Sequence, residues 1–153
     1  MNRIAQLMVE LTEAFPPRDL DAAAFARSNT AWDAYTKAEA FDVGSQGRTW
    51  DELGSEFVDA HGGALFFLDP GAFVAVLPAY LAALLRGDTE SEVSAFVFSQ
   101  LTRAPRPEKF DARNNLLAEP QRSAVAHVLE ALTDSDHWSR YRTEIAAALD
   151  SWR

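Results

Sequence analysis

Apolar residues recur at helical spacing along most of this chain, and its densest apolar run has no polar side at all. Ile4, Leu7, Met8, Leu11 and Phe15 fall on one helical face, and "PPRD" from Pro16 ends that helix. "DLDAAAFARS" at 19–28 reads as a short helix, and Trp32, Tyr35 and Ala38 mark another, closed by "DVGSQGR". In "TWDE", Thr49 and Glu52 stand three apart, a capping-box spacing that opens a helix through about His61, ended by Gly62 and Gly63. Thr89 and Glu92 repeat that spacing ahead of Val93, Phe96, Val97 and Leu101. Val125, Val128, Leu129 and Leu132 define a further helix. "TDSD" then caps a last one carrying Trp138, Tyr141, Ile145, Leu149 and Trp152. "RAPRPEKFDARNN" reads as the longest irregular stretch. No run alternates with period two. "ALFF" at 64–67 is the one candidate strand, and a single strand makes no sheet.

The run without a polar side is "ALFFLDPGAFVAVLPAYLAALL" from Ala64 to Leu85, which holds one charge, Asp69, and two prolines. A membrane span needs about 20 apolar residues. Asp69 and Pro70 divide this run and leave sixteen residues from Pro70 to Leu85. "DPGAF" instead starts a helix, with Asp69 capping free amides and Pro70 in the first helical position. Phe73, Val74, Val76, Leu77, Tyr80, Leu81, Leu84 and Leu85 then cover every side, as in a helix buried within a core. Pro78 removes a hydrogen bond to the Val74 carbonyl, so either the helix kinks there or a second one starts near Leu77. The expected fold is all-α: a single domain over 1–153, a bundle of about six to eight helices around a central, proline-kinked helix at about 70–86.

A pattern within this run is shared with other chains. Trp50 and Leu53 followed by "GGALFFLDPGAFVAVLPAYLAALL" at 62–85 resemble a domain-of-unknown-function family of small bacterial proteins. That family shows Trp-x-x-Leu, Gly-Ala-Leu-x-Phe, Pro-Glu-Ala-Phe and Leu-Pro-Ala-Tyr in order. "YTKAEAF" at 35–41 and "QRSAVAHVLEAL" at 121–132 extend the resemblance over most of residues 35–132. It rests on Trp50, Phe67, Pro70, Phe73, Leu77, Pro78 and Tyr80, and departs where Gly71 replaces an acid and "VAV" at 74–76 replaces aromatic and basic residues. The resemblance implies a fold and no activity.

Composition narrows the chemistry. With 48% hydrophobic and 24% charged residues the chain is globular in character, and at 153 residues it can bury a sizeable core. It has no cysteine, which removes disulfides, thiolate catalysis and thiolate metal sites. "MNRIAQLMVELTEAF" has acids within its apolar run and reads as a helix, not a signal peptide, so a cytoplasmic location is expected. No phosphate-binding glycine loop, nucleophile elbow or pair of Glu-x-x-His motifs occurs. The three histidines, His61, His127 and His137, fit no local metal spacing, and His61 at a helix end suits a charged C-terminal cap. No catalytic residue, cofactor or metal is expected.

Charge carries the functional content. The net charge is −9, and residues 1–92 hold 15 acids against 6 bases while 93–153 hold 8 of each. Between Trp50 and Pro70 there are five acids and no lysine or arginine. On a helix begun at Asp51, Glu52, Glu56 and Asp59 share one face. The plain reading is a solvated face. The sharper one is a docking surface for a basic protein partner, which would repel nucleic acid. Arg103, Arg106, Lys109 and Arg113 gather in the proline-bearing stretch, either balancing Glu108 and Asp111 or contacting an anion or the acidic face of another copy. The first functional expectation is therefore a small acidic binding protein, immunity- or antitoxin-like, masking a basic partner. The alternative is an enzyme or small-ligand-binding bundle with a pocket near Pro78.

Overall fold

The computed structural model describes residues 2–20, 41 and 43–153. Eight α-helices appear among them: α1 Arg3–Ala14, α2 Ser55–Ala60, α3 Ala64–Phe67, α4 Pro70–Arg86, α5 Ser91–Gln100, α6 Pro107–Asn114, α7 Glu119–Thr133 and α8 Arg142–Ser151. Two 3₁₀ segments, Trp50–Glu52 and Asp136–Tyr141, precede α2 and α8. The described residues contain no strand, and the expected all-α bundle is what forms. The helices expected over 19–28 and around Trp32, Tyr35 and Ala38 lie outside the described residues.

The bundle is organised around α4. Its side chains from Val76 to Leu85 are all buried, together with Ala72 and Phe73. An element with no polar face must be covered on all sides, and α1, the Trp50 turn, α2, α6 and α7 all pack against it. Full burial of a Leu, Val or Phe side chain is worth about 1.5–3 kcal/mol, so this one helix anchors much of the core. Pro78 is buried within a continuous helix, with no second helix beginning at Leu77. Pro70 occupies the first helical turn as expected, but the Asp69 side chain makes no capping bond. Gly87, at φ 73°, ends α4 in the left-handed conformation that glycine adopts without strain. At 17 residues α4 is too short for a span, and no described helix is long and apolar enough to cross a membrane.

Several local expectations change. "ALFF" is the short helix α3, not a strand. The Thr49–Glu52 box forms, with the Glu52 carboxylate accepting from the Thr49 backbone N–H at 2.9 Å, but it closes only a 3₁₀ turn. Leu53 and Gly54 are extended there, so α2 starts afresh at Ser55. The Thr89–Glu92 box does not form, because α5 begins at Ser91 and Asp59 caps it from another helix, accepting from the Glu90 N–H at 2.9 Å. The stretch 103–115, expected to be irregular, contains α6, started by Pro107 in its first turn and held inward by Phe110 and Arg113.

Tyr80 shows how tightly α4 is enclosed. It is fully buried, its hydroxyl donates to the His61 carbonyl at 2.7 Å, and burial pushes its phenol pKa up. Leu77 is likewise fully buried one turn earlier. Leu77→Ala is expected to cost about 2–5 kcal/mol in denaturant unfolding, as truncations in well-packed cores do. A loss below about 0.5 kcal/mol, the size of an ordinary surface change, would contradict the placement of α4.

Candidate functional site

The acidic residues read from the sequence are placed in two different settings. Glu52 lies in the 3₁₀ turn, where the Thr49 backbone N–H and hydroxyl hold its carboxyl below the ordinary value. Glu56 and Asp59 lie on α2, Glu56 exposed and Asp59 bonded to the start of α5. They do not share one helix. The same bond sets Glu90 beside Asp59, and Ser55 bonds Asp88, so acids 88–92 join those of 51–59. Two cations sit among them: Arg48 and Arg86 line the same shallow hollow as Glu52, Glu56 and Asp88.

The histidines are equally dispersed. His61 packs against Phe57 with ring centroids 4.5 Å apart, and burial lowers its pKa, favouring the neutral ring over the charged cap expected at that helix end. His127 pairs with Glu10 across α7 and α1, Nδ1 to Oε1 at 2.6 Å, and His137 stacks edge-on to Trp138. No group of three His, Asp or Glu side chains converges among the described residues. Val74 and Ala75, beside Pro78, border a cavity of about 340 Å³ bounded also by Phe15, Pro16, Leu20 and Trp50.

The basic cluster is where the geometry becomes unusual. Arg103 behaves as charge balance: it grips Asp111 with two parallel bonds, Nε to Oδ1 at 3.1 Å and Nη2 to Oδ2 at 3.0 Å. The other three cations turn away from that pair, toward a cavity of about 240 Å³ between α3, α5 and α6. Lys109 Nζ lies 3.7 Å from the centroid of the Phe66 ring and also donates to the Phe66 carbonyl. The Arg106 guanidinium lies 4.5 Å from the centroid of the same ring. Arg113 lies 3.8 Å from the centroid of Phe73, bonding the Leu65 carbonyl through Nη2 at 2.8 Å and Gln100 Oε1 through Nη1 at 3.1 Å.

No aspartate or glutamate lines this cavity. Arg113 is only 5% exposed, and its Nε is the one buried side-chain nitrogen or oxygen among the described residues without a hydrogen-bond partner. Burying an ion costs several kcal/mol, which aromatic stacking and two hydrogen bonds offset in part. Burial draws the Arg113 guanidinium down to about 10, still charged at neutral pH. Lys109 is drawn down to about 8, first by burial and then by Arg113 and Arg106. The cavity therefore offers concentrated positive charge framed by Phe66, Phe96 and Phe110. Ser99 and Thr102 contribute no donors, since their hydroxyls already donate to the carbonyls of Phe96 and Phe98.

The lysine gives a stability signature of known sign. Between pH 8 and 10.5 the folded chain has released the Lys109 proton while the unfolded chain still holds it, so folding gains stability as pH rises through that window. Below pH 8 both states are protonated and this contribution is constant. Lys109→Met removes it. Urea midpoints at pH 7 and 9.5 should therefore shift in favour of wild type relative to the variant, and an unchanged gap would contradict the depressed pKa.

No curated protein and no solved structure matches the chain. A family model does match, over residues 4–153, nearly the whole chain and therefore both α4 and the basic cavity. The chain belongs to the family of unknown function DUF6714.

Proposed function

We propose that this protein is a binding module that recognises an anionic group in the cavity between α3, α5 and α6. The observation that carries the reading is the convergence of Arg106, Lys109 and Arg113 on a cavity lined by no carboxylate. On a chain of net charge −9 such a concentration of unpaired cations needs a reason. Charge balance accounts for Arg103 but for none of these three. A bound anion would offset the repulsion from Arg113 and Arg106 that adds to burial in depressing Lys109. On this reading the small ligand binds at α6, and the cavity beside Val74 and Ala75 is a separate place for the Pro78 alternative.

The acidic surface supports a second reading, a small cytoplasmic protein of the immunity or antitoxin kind that docks a basic partner. What favours it is the adjacency of residues 51–59 and 88–92 through the Asp59–Glu90 bond. Since Glu52 and Asp59 also serve as caps, their replacement would perturb the fold as well as any docking.

The two readings separate in one set of titrations. With inorganic phosphate at constant ionic strength, wild type should gain thermal stability by mass action, and Arg106→Gln or Lys109→Gln should weaken binding about 10-fold to 100-fold, the worth of one charged hydrogen bond. No stabilisation beyond that given by chloride would remove the first reading. Glu56→Lys should leave phosphate binding intact and slow capture of a basic partner recovered by affinity from native cells. Equal capture by both proteins would remove the second.

A further inference from the structure

We propose that the cavity takes a phosphate monoester bearing a single flat ring, with the phosphoryl group held by Arg106, Lys109 and Arg113 and the ring against Phe96, Phe110 and Pro105. This rests on the anion-binding reading above and names its ligand class.

The charge count favours a dianion. Three cations face the cavity, so a monocarboxylate would leave two uncompensated, whereas a phosphate monoester carries about −1.5 to −2 at neutral pH on three oxygens of one group. The spacing of the cations admits a single phosphate. Arg106 and Lys109 lie 4.5 and 3.7 Å from one ring centroid, so, with those distances laid end to end, their charges are at most about 8 Å apart. That is within reach of hydrogen bonds made to a single phosphate. Arg113 adds a third positive charge at the cavity wall.

Size and lining set the rest of the molecule. At about 240 Å³ the cavity falls below the roughly 300–1,000 Å³ of sites for drug-sized ligands, leaving room for a phosphate and one ring. Phe110 is fixed by edge-on contact with Trp152, centroids 5.4 Å apart, and presents a rigid apolar wall. Phe66 is already engaged by two cations, so the ring would pack on Phe96, Phe110 and Pro105.

Binding should also move a proton. The charged groups facing Lys109 are Arg106 and Arg113, both repulsive. The elements packed beside it contribute Phe66 from α3 and Ser99 and Gln100 from α5, none of which titrates. On α6 itself, Asp111 is bonded to Arg103, and Glu108 also acts on Arg103. A dianion entering this set restores the charged form of Lys109, so near pH 8 binding takes a proton from solution onto Nζ.

The test is calorimetric titration of the full chain at pH 8 in two buffers of different ionisation enthalpy, with phenyl phosphate, inorganic phosphate, phthalate and benzoate as probes. Phenyl phosphate is expected to bind at least tenfold tighter than each of the others, with a fraction of a proton taken up. Lys109→Arg should keep the binding and lose the proton uptake, which also controls for titration of the ligand. Benzoate or phthalate binding as tightly as phenyl phosphate, or the same uptake in Lys109→Arg, would overturn the assignment while leaving an anion site standing. If none of the four probes binds wild type, the anion-binding reading itself falls. A phosphotyrosyl peptide serves as a last arm. Binding tighter than phenyl phosphate would support the aryl phosphate and assign its source to a phosphoprotein; equal or weaker binding would support it with a small-molecule source.

Discussion

A seventeen-residue helix without a polar face has to be enclosed on every side, and the arrangement of the other helices follows from that demand. Long apolar stripes from α1 and α7 cover much of α4. Near Phe73 the cover comes from α6, a short helix whose buried side chains are Phe110 and Arg113 alone. A guanidinium therefore lies over the Phe73 ring where another fold would place a leucine. Its planar, weakly hydrated face suits an aromatic surface better than an ammonium would. The same residue ties α6 to α3 through the Leu65 carbonyl and to α5 through Gln100. Closure of the core and creation of a positive cavity are thus one event.

The helical architecture was legible because burial follows periodicity. Leu7 and Leu11 of α1, Val125, Val128, Leu129 and Leu132 of α7 and all but Val74 of the apolar set on α4 are buried where their spacing placed them. What periodicity could not supply was α6. Its mean character is polar, and only Pro107 in the first helical turn and the i, i+3 pair Phe110–Arg113 signal a helix with an inward face. An arginine at an inward position reads as exposed in any hydrophobic pattern, because its burial depends on Phe73, forty residues earlier, and on carbonyls of other helices.

The acidic face misled for a related reason. The spacing of Glu52, Glu56 and Asp59 fits one helix, whereas Gly54 breaks the segment and tertiary contacts put Glu52 and Asp59 to work as caps. Counting charge along the chain also conceals the cavity. Residues 93–153 are neutral in sum, yet pairing of Arg103 with Asp111 leaves Arg106, Lys109 and Arg113 on the other side of α6 with no acid in their cavity. Chemistry that depends on which charges fail to pair is visible only in three dimensions. The location of the candidate site was half legible, as a basic cluster, and its character was not.

Anion binding stands on Arg106, Lys109 and Arg113 lining one cavity that no carboxylate enters. The most direct measurement follows the Lys109 Nζ ¹⁵N resonance as phosphate is added at constant ionic strength. A saturable shift is expected in wild type, lost in Arg106→Gln at the same phosphate concentration. A resonance that stays in place through saturating phosphate, while the protein remains folded, would contradict it.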